Sequence, residues 1–487
     1  MSSDNFPIEN FGRNLSFQPK IVAVPNTEDD VLRILAEHRG RQIRVVGRLH
    51  SWSEAPRGDD VLLDLECLND VRTERRDGRI WATVGGGCQI KRILRELDRQ
   101  TGTTLPSLGL IAEQTIAGAI STGTHGSGKH SLSHYMAEVR VATYDAVTGQ
   151  PVIRTITEGP ELRAARCSLG CLGVIVSVGF WCRPQYRIEE HFRRYSNLDD
   201  VLAAESEYPL QQFFFVPWRW DFFAQHRREV ESSRSRLAFV YRLYWSLVFD
   251  VGFHLILLLI ARLCRSRRAV QFFFRQIMPW TVIRGWKVVD QSQRMLVMRH
   301  ELFRHIEIEL FVKRSQLPAA VIYTQELLMH FAGAPNSISN ATRQRLADLG
   351  LLVSLPAVAG CYTHHYPVCI RRVLPDDTLI SMASSDDESY YALSFVAFCR
   401  PAEREGFFAF ADFLARSTAR LFGARPHWGK VCPINGEQAE SLYPHLATFR
   451  DICSRFDSGG TFRNGWVAEL LFRAPMDRTR ITNADRL

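Results

Sequence analysis

A run of small residues, LPSLGLIAEQTIAGAISTGTHGSG over residues 105–128, constrains this chain more than any other segment. Glycine, alanine, serine and threonine dominate the run, and such residues are needed where a backbone closely approaches a ligand or another backbone. A second turn, Gly47–Ser53, follows directly on the apolar strand RQIRVVG. Its backbone N–H groups suit a phosphate. Taken alone, this second turn also fits a polar surface turn that exposes His50.

No G-x-G-x-x-G opens a helix anywhere in the chain, and Gly85, Gly86 and Gly87 have the wrong spacing for that motif. The sequence therefore disfavours a Rossmann dinucleotide site.

Apolar periodicity predicts alternating strands and helices. At 487 residues, the chain is long enough for two or three domains. Thr27 followed by Asp30 predicts a capped helix, and QIKRILRELDRQTG predicts an amphipathic helix that stops at Gly102. Residues 301–430 return to the same alternation, and SLYPHLATFRDICSRF predicts one further helix. The fold class is therefore expected to be α+β.

Composition excludes several classes of protein. Hydrophobic residues make up 46% of the chain, which excludes extensive disorder. The net charge of +8 comes without a nucleic-acid recognition module, so we expect no nucleic-acid partner. The 11 cysteines form no C-x-x-C pair, and the His364-His365 pair suits no metal on one strand face; we expect no metal. The N-terminus lacks a signal peptide, which favours an intracellular protein.

The segment 237–268 is very apolar and ends in a cluster of arginines. Three interpretations stay open: a buried helical pair, attachment to a membrane surface with the arginines toward anionic lipid, and a transmembrane helix. The charge-free run VGFHLILLLIA is shorter than the roughly 20 residues that a spanning helix needs, which disfavours the third.

Three segments together resemble a known flavoprotein domain. The order of GRLHS after a strand, then PSLG with QTIAGAISTGTHG, then SLGCLGVI is similar to the FAD-binding domain (PCMH type) of the vanillyl-alcohol oxidase superfamily. The segments RPHWGK (425–430) and FDSGGTFRN (456–464) resemble the sugar-1,4-lactone oxidase family, which includes gulonolactone and arabinonolactone oxidases and the related alditol oxidases. The resemblance covers residues 15–185 and 300–470.

This resemblance implies an α+β fold with a two-part FAD-binding domain (15–187) and an α+β substrate or cap domain (188–430) with the apolar insert 237–268. The C-terminal segment (431–487) would return to complete the flavin site. It also implies FAD as cofactor, either covalently bound through His50 or not. The residues that fall on the cofactor-binding positions are Gly47, His50, Ser51, Ser53, Gly109, Thr115, Gly118, Ser121, Thr122, Gly123, His125, Gly173, Ile175, His427 and Lys430. Gly109 matches a position at which glycine goes with oxidases, because the missing methyl group lets oxygen reach the flavin.

The resemblance implies that Arg371 and Lys430 are catalytic. Cys369 stands where the family has a glutamate that contacts substrate hydroxyls, and a thiol replaces a carboxylate poorly at neutral pH.

The implied activity is oxidation of a CH–OH group of a sugar lactone, alditol or related polyol, with hydride transfer to flavin N5. Oxygen, giving hydrogen peroxide, or another electron acceptor would reoxidise the flavin. The alternative is a flavin-binding, membrane-associated dehydrogenase or electron-transfer protein that acts on a non-sugar or lipid-linked substrate. It rests on Cys369 and on the apolar segment 237–268, through which the protein would contact a membrane surface.

Overall fold

Short apolar runs separated by glycine turns build the N-terminal half, and the computed structural model describes residues 7–260, 266–298 and 304–473. The strands in this half are β1 (Ile8–Glu9), β2 (Ser16–Phe17), β3 (Ile21–Ala23), β4 (Ile43–Val46), β5 (Val61–Asp64), β6 (Val71–Arg76), β7 (Arg79–Gly85), β8 (Thr103–Thr104), β9 (Met136–Tyr144), β10 (Pro151–Ile156), β11 (Val174–Trp181) and β12 (Arg183–Pro184). Its helices are α1 (Glu28–Glu37), α2 (Ile90–Thr101), α3 (Ile116–Thr122) and α4 (Gly159–Ala165).

Eight of these strands form a parallel three-stranded sheet, ordered β3-β5-β4, and an antiparallel five-stranded sheet, ordered β10-β9-β11-β7-β6. The other four form two antiparallel pairs, β1 with β2 and β8 with β12. The predicted helix ends are confirmed. Thr27 and Asp30 form a reciprocal capping box at α1, and α2 ends at Gly102, whose φ of 63° is left-handed. Helix α3 lies inside the small-residue run, between β8 and β9 in chain order.

The second half forms one antiparallel sheet of eight strands, ordered β16-β13-β15-β14-β18-β19-β17-β20. These strands are β13 (Arg187–Tyr195), β14 (Gln212–Val216), β15 (Asp221–Val230), β16 (Val288–Gln291), β17 (Ile306–Lys313), β18 (Val368–Val373), β19 (Tyr390–Ala397) and β20 (Arg425–Pro426). Its α-helices are α5 (Leu198–Ala203), α6 (Ala238–Tyr244), α7 (His254–Leu258), α8 (Arg267–Phe272), α9 (Met278–Thr281), α10 (Ser292–Met295), α11 (Leu317–Phe331), α12 (Asn340–Asp348) and α13 (Glu405–Phe422). Helices α11 and α13 pack against each other and against β17 with fully buried Leu327, Phe331 and Phe410.

The segments 238–260 and 266–283 form a helical hairpin. A π-helical stretch, Trp245–Phe253, joins α6 to α7, and another, Phe273–Ile277, joins α8 to α9. The first arm, Ala238–Leu258, is 21 residues long and is apolar enough to cross a membrane by length and composition alone. This arm is longer than the charge-free run predicted, because Arg242 and Asp250 lie within the helix rather than ending it.

One side of the hairpin, here called the apolar face, leaves large hydrophobic side chains exposed. Its members are Leu237, Phe239, Val240, Leu243, Leu247, Leu255, Ile256, Leu259, Phe272, Ile277, Trp280 and Ile283. Two of the arginines in the predicted basic cluster, Arg262 and Arg265, lie outside the described residues.

The C-terminal segment contains α14 (Gly436–Leu442), α15 (Leu446–Phe456) and α16 (Gly465–Phe472). The prediction of one helix across 441–456 was wrong. Pro444 disfavours helical backbone at Tyr443, which is extended (φ −120°, ψ 94°) and separates α14 from α15. The segment then returns to the N-terminal sheet, where Ile43 N donates to Thr461 O at 2.9 Å.

Candidate active site

Two adjoining cavities occupy the boundary between the N-terminal domain and the large sheet. The first, here called the loop cavity, lies among the turn after β4, helix α3 and the turn before β11. The second, here called the sheet cavity, has a volume of about 580 Å³ and lies between the large sheet and the helical hairpin. His50, Ser51, Gln114 and Thr122 line both, so the cavities meet at these residues.

Glycine is required at two positions around the loop cavity. A Cβ on Gly47 would lie 2.2 Å from Thr115 Oγ1, and a Cβ on Gly173 would lie 2.3 Å from Ala142 O. Gly173 also has a φ of +136°, which side chains rarely adopt. These close approaches keep the chain against the cavity and leave its backbone accessible there.

Most of the predicted cofactor-binding residues converge on the loop cavity, although they come from three distant segments. Those that line it are Gly47, His50, Ser51, Thr115, Gly118, Ser121, Thr122, Gly173 and Ile175. His125, His427 and Lys430 instead line the sheet cavity.

Three predicted residues lie outside both linings and have packing roles. Ser53 donates its hydroxyl to Trp428 O at 2.7 Å. Gly123 ends α3 in a left-handed conformation with a φ of 77°. Gly109 packs against Thr124, and a Cβ at this position would lie 2.7 Å from Thr124 Cγ2.

His50 lies at the junction of the cavities and stacks on Phe11 with 5.0 Å between ring centroids. Burial lowers the pKa of His50 to about 4. The imidazole is therefore neutral near pH 7, the form that can act as a nucleophile.

A polar row runs across the strands that floor the sheet cavity. In the strand register, Glu309 of β17 lies opposite Ser394 of β19, which lies opposite Cys369 of β18. Arg371 of β18 lies opposite Gln212 of β14, which lies opposite Gln225 of β15. All six line the cavity, because residues two apart on a strand share a face.

Arg371 and Glu309 form the buried charged centre of this row. Arg371 Nη1 lies 3.7 Å from Glu309 Oε1, and His125 Nε2 lies 3.4 Å from Glu309 Oε2. His125 and Arg371 stabilise the Glu309 carboxylate and hold its pKa well below the usual range despite burial. Burial lowers the pKa of His427 to about 3, so its ring is neutral.

His125, Glu309 and His427 also place ligand atoms within 4.8 Å of one another. Two histidines and one carboxylate are a ligand set for divalent metals. The guanidinium of Arg371 already balances the Glu309 charge in a buried site, and a second cation there would be costly. The cluster is better explained as an ion-pair network that orients Arg371.

Lys430 reaches the cavity from the segment after β20. Its Nζ donates to Glu307 Oε2 at 2.5 Å and lies 4.3 Å from the centroid of the Trp52 ring. Glu307 Oε1 accepts from the Ser394 hydroxyl. Arg371 and Lys430 thus bring two cations to the same wall of the sheet cavity.

Cys369 is buried, and burial raises the pKa of its thiol. The thiol is protonated at neutral pH and cannot replace the carboxylate that the resemblance expects here. Its Sγ lies 4.0 Å from Gln212 Oε1, a long contact that leaves the group a weak donor.

The helical hairpin forms the opposite, largely apolar wall of the sheet cavity. Its contributors include Phe239, Leu243, Trp245, Phe249, Phe253, Met278 and Val282. Phe239 and Leu243 are also 64% and 45% exposed, so the lining of the cavity reaches the apolar face at these two residues.

Five residues of the site were not predicted from the sequence: Glu307, Glu309, Ser394, Gln212 and Gln225. A signal existed for the first two: acidic residues two apart in the otherwise apolar strand IEIELF lie on one face and are expensive to bury without a function or a partner. The two glutamines lie in a segment without a recognised motif.

Comparison with known proteins identifies the cofactor. Residues 19–148 match the FAD binding domain model, and residues 180–470 match the D-arabinono-1,4-lactone oxidase model. The loop cavity fits FAD: its glycines bring backbone close to a ligand, and it meets the sheet cavity at neutral His50. FAD is therefore the cofactor, as the resemblance implied.

Similar proteins cover nearly the whole chain. A long-chain alcohol oxidase from an uncultured marine euryarchaeote is 54% identical over 95% of this chain and 96% of its own length. An L-gulonolactone oxidase from Scyliorhinus torazame is 23% identical, covering 96% of this chain and 98% of its own. The crystal structure of cholesterol oxidase from B. sterolicum superposes with a TM-score of 0.71 at 15% identity, covering 96% of both chains.

The superposition confirms the expected two-part fold, and the matched models confirm the expected enzyme class. The protein is an FAD-dependent oxidoreductase that acts on CH–OH groups, and it belongs to the D-arabinono-1,4-lactone oxidase family.

Proposed function

We propose that the protein oxidises the CH–OH group of a long-chain aliphatic alcohol and that oxygen reoxidises the flavin. The observation that carries this proposal is the composition of the sheet cavity. One wall carries two cations and two carboxylates, and the other is built from aromatic and aliphatic side chains of the helical hairpin. A substrate with a hydroxyl at one end and a hydrocarbon chain complements both walls.

The similarity to a long-chain alcohol oxidase, 54% identical, supports the same substrate class. The departure at Cys369 agrees with it. A buried neutral thiol is a weak hydrogen-bonding partner for the several hydroxyl groups of a sugar. A simple alcohol has only one hydroxyl group and does not need this partner.

Bound FAD supplies a hydride acceptor at N5. Arg371 and Lys430 lie where the alcohol oxygen is expected, and their charges stabilise the negative charge that develops on that oxygen in the transition state. The apolar hairpin excludes water around the reacting carbon, which strengthens both interactions.

Glu307 is the group that we assign to receive the hydroxyl proton. Glu309 is a poor base, because His125 and Arg371 hold its pKa low. Two contacts fix the orientation of the Glu307 carboxylate in the cavity wall: Oε2 accepts from Lys430 Nζ, and Oε1 accepts from the Ser394 hydroxyl. Proton transfer by a positioned carboxylate contributes roughly 10²–10⁴-fold to such reactions.

Anaerobic mixing of the holoenzyme with a panel of compounds tests the proposal. The panel contains 1-alkanols of increasing length, xylitol, and gulono-1,4-lactone. We expect the long alkanols to bleach the flavin absorbance and air to restore it with release of hydrogen peroxide. Failure of every alkanol to reduce the flavin would contradict the proposal. Reduction without reoxidation in air would favour a dehydrogenase or an electron-transfer protein.

A polyol or sugar lactone is the second candidate, and the polar row supports it. Gln212, Gln225 and Ser394 add amide and hydroxyl groups beside Arg371. Gln212 Nε2 donates to Gln225 Oε1 at 2.6 Å, however, so part of this capacity is used within the protein. Faster reduction by xylitol or the lactone than by any alkanol would favour this candidate.

A further inference from the structure

We infer that the apolar face of the helical hairpin docks on the surface of a bilayer with anionic headgroups, so that the alcohol enters the sheet cavity directly from lipid. The inference rests on the proposed substrate class and names the surface from which that substrate comes. It is carried by three independent features of the described residues: exposure, charge and the position of the cavity opening.

The apolar face is unusually exposed. Trp280 is 82% exposed, Leu247 is 58% exposed and Leu255 is 53% exposed. Single exposed hydrophobic residues are ordinary, but a contiguous group on one structural unit marks an interaction surface. Trp280 is amphipathic and suits the headgroup boundary of a bilayer.

The charge around the face complements anionic lipid. Segment 232–288 contains a single acidic residue, Asp250, and many basic ones. Exposed basic side chains that flank the apolar face in the chain are Arg234, Arg236, Arg267, Arg268, Arg284 and Lys287. Basic residues near a membrane surface attract anionic headgroups, whereas a protein partner would need matching acidic groups of its own.

The hairpin is held to the enzyme body, which opposes a spanning orientation. Tyr241 donates its hydroxyl to Glu190 Oε1 at 2.7 Å, and Arg242 pairs with buried Asp290 at the sheet edge. The polar side of the first arm thus contacts the protein, and its apolar side faces outward. This arrangement is typical of a helix that lies in the interface.

The lining of the sheet cavity reaches the same face. Phe239 and Leu243 belong both to the apolar face and to the lining of the sheet cavity. A long alkanol partitions into a bilayer, and an opening against the bilayer lets it slide into the cavity without exposing its chain to water. Docking therefore places the opening at the location of the substrate.

The test is flotation of the full-length holoenzyme with vesicles of phosphatidylcholine alone or with added phosphatidylglycerol. The variant Leu247→Ser/Leu255→Ser/Trp280→Ser changes exposed positions that do not line the cavity. The matched control, Val147→Ser/Ile322→Ser/Val353→Ser, changes residues that are 93%, 61% and 89% exposed elsewhere. We expect the first variant to lose at least tenfold in vesicle binding and the control to bind as the wild type does.

A charge variant, Arg268→Gln/Arg284→Gln, is expected to weaken binding to the phosphatidylglycerol vesicles severalfold and to reduce its salt dependence. Equal flotation of the wild type and the triple apolar variant would overturn the inference. Conversion of a dimer to a monomer by that variant, with flotation unchanged, would instead identify a second copy of the chain as the occupant and would also overturn it.

Turnover separates this inference from the proposed function. For one long alkanol, we expect the triple apolar variant to lose at least tenfold in turnover of the vesicle-borne compound and to keep wild-type turnover of the detergent-solubilised compound. Flotation needs no substrate, so failure to oxidise any alkanol would contradict the proposed function and leave the docking result standing. Equal loss in vesicles and detergent would contradict entry from lipid.

Discussion

Lys430 Nζ lies 2.5 Å from Oε2 of Glu307, and this ion pair forms part of the wall of the sheet cavity. In the proposed reaction, the Lys430 ammonium stabilises the negative charge that develops on the substrate oxygen, and the Glu307 carboxylate receives the hydroxyl proton. The pair connects a segment after β20 to strand β17, which are distant in sequence and meet because β20 pairs with β17.

Replacing Glu307 by glutamine is expected to lower kcat on the order of 10²-fold, because the amide cannot accept the hydroxyl proton. Rapid anaerobic flavin reduction measures this step directly. The single variant Lys430→Met and the double variant complete a double-mutant cycle. Because the two residues act as a pair, we expect the double variant to lose little more than the worse single variant. Additive losses would show that they act separately.

Replacing His50 by alanine tests covalent attachment of FAD. The imidazole lies at the junction of the cavities, and burial lowers its pKa to about 4, which keeps it unprotonated and able to act as the nucleophile that such a bond requires. We expect acid-precipitated wild-type protein to remain yellow and the His50→Ala protein to release its flavin into the supernatant. Unchanged circular dichroism confirms that the variant is folded. A colourless wild-type precipitate would rule out the bond.

Gly109 lies outside the linings of both cavities, but the resemblance places this position beside the flavin, so replacing it tests access of oxygen. A methyl group at this position would lie 2.7 Å from Thr124 Cγ2 and collide with it. Slower reoxidation in Gly109→Ala alone could therefore come from this steric strain rather than from blocked access of oxygen. The double variant Gly109→Ala/Thr124→Ser removes that methyl and retains a hydroxyl that can contact Gln114 Oε1. We expect reoxidation by oxygen to slow at least tenfold in the double variant relative to Thr124→Ser, with flavin reduction little changed. Equal reoxidation rates would remove Gly109 as the determinant.

The chain length of the substrate should follow the apolar wall of the cavity. Each methylene buried contributes about 0.8 kcal/mol, so kcat/KM is expected to rise about fourfold per carbon until the cavity is filled. Val282 is buried and lines this wall. Val282→Phe is expected to shift the optimum to shorter alkanols while kcat/KM for the shortest ones stays unchanged. A flat dependence on chain length would exclude binding of the chain in this cavity.

Local sequence signals predicted the N-terminal half well. Thr27, Asp30 and Gly102 act within a single turn of chain, so their effects on helix ends could be anticipated without tertiary structure. The loops around Gly47 and Gly173 were identified as cofactor loops only through the resemblance of three segments taken together, because each loop alone also fits an ordinary glycine turn.

The sheet cavity could not be anticipated in the same way. Its polar row depends on the register of five strands, and register joins Gln212 to Arg371 across 159 positions of chain with no local mark. The sequence indicated that segment 237–268 is apolar, but it did not distinguish the side that lines the cavity from the side that is exposed. Whether Leu243 faces the cavity, lipid or both depends on how the first arm is tied to Glu190 and Asp290.

His364 makes the stability of the protein sensitive to acid. It is fully buried among aromatic rings, and Tyr362 Oη lies 3.0 Å from its Nδ1. Burial lowers the pKa of His364 well below 6.5. Below pH 6.5, the unfolded chain therefore binds a proton that the folded chain does not, and stability falls as the pH falls. The slope from this group is about 1.4 kcal/mol per pH unit.

The variant His364→Gln removes the titrating group while its side-chain oxygen can still accept from the Tyr362 hydroxyl. We expect this variant to be less stable than the wild type at pH 7.5, because the ring leaves space among Phe395 and Phe410. As the pH is lowered from 6.5 to 5, however, its free energy of unfolding should fall less steeply than that of the wild type. The two slopes should differ by about 1.4 kcal/mol per pH unit, which corresponds to one proton. Urea unfolding of the holoenzyme at several pH values measures both effects. Parallel pH curves for the two proteins would show that His364 is not the group that titrates, because a change in packing alone shifts the curve without changing its slope.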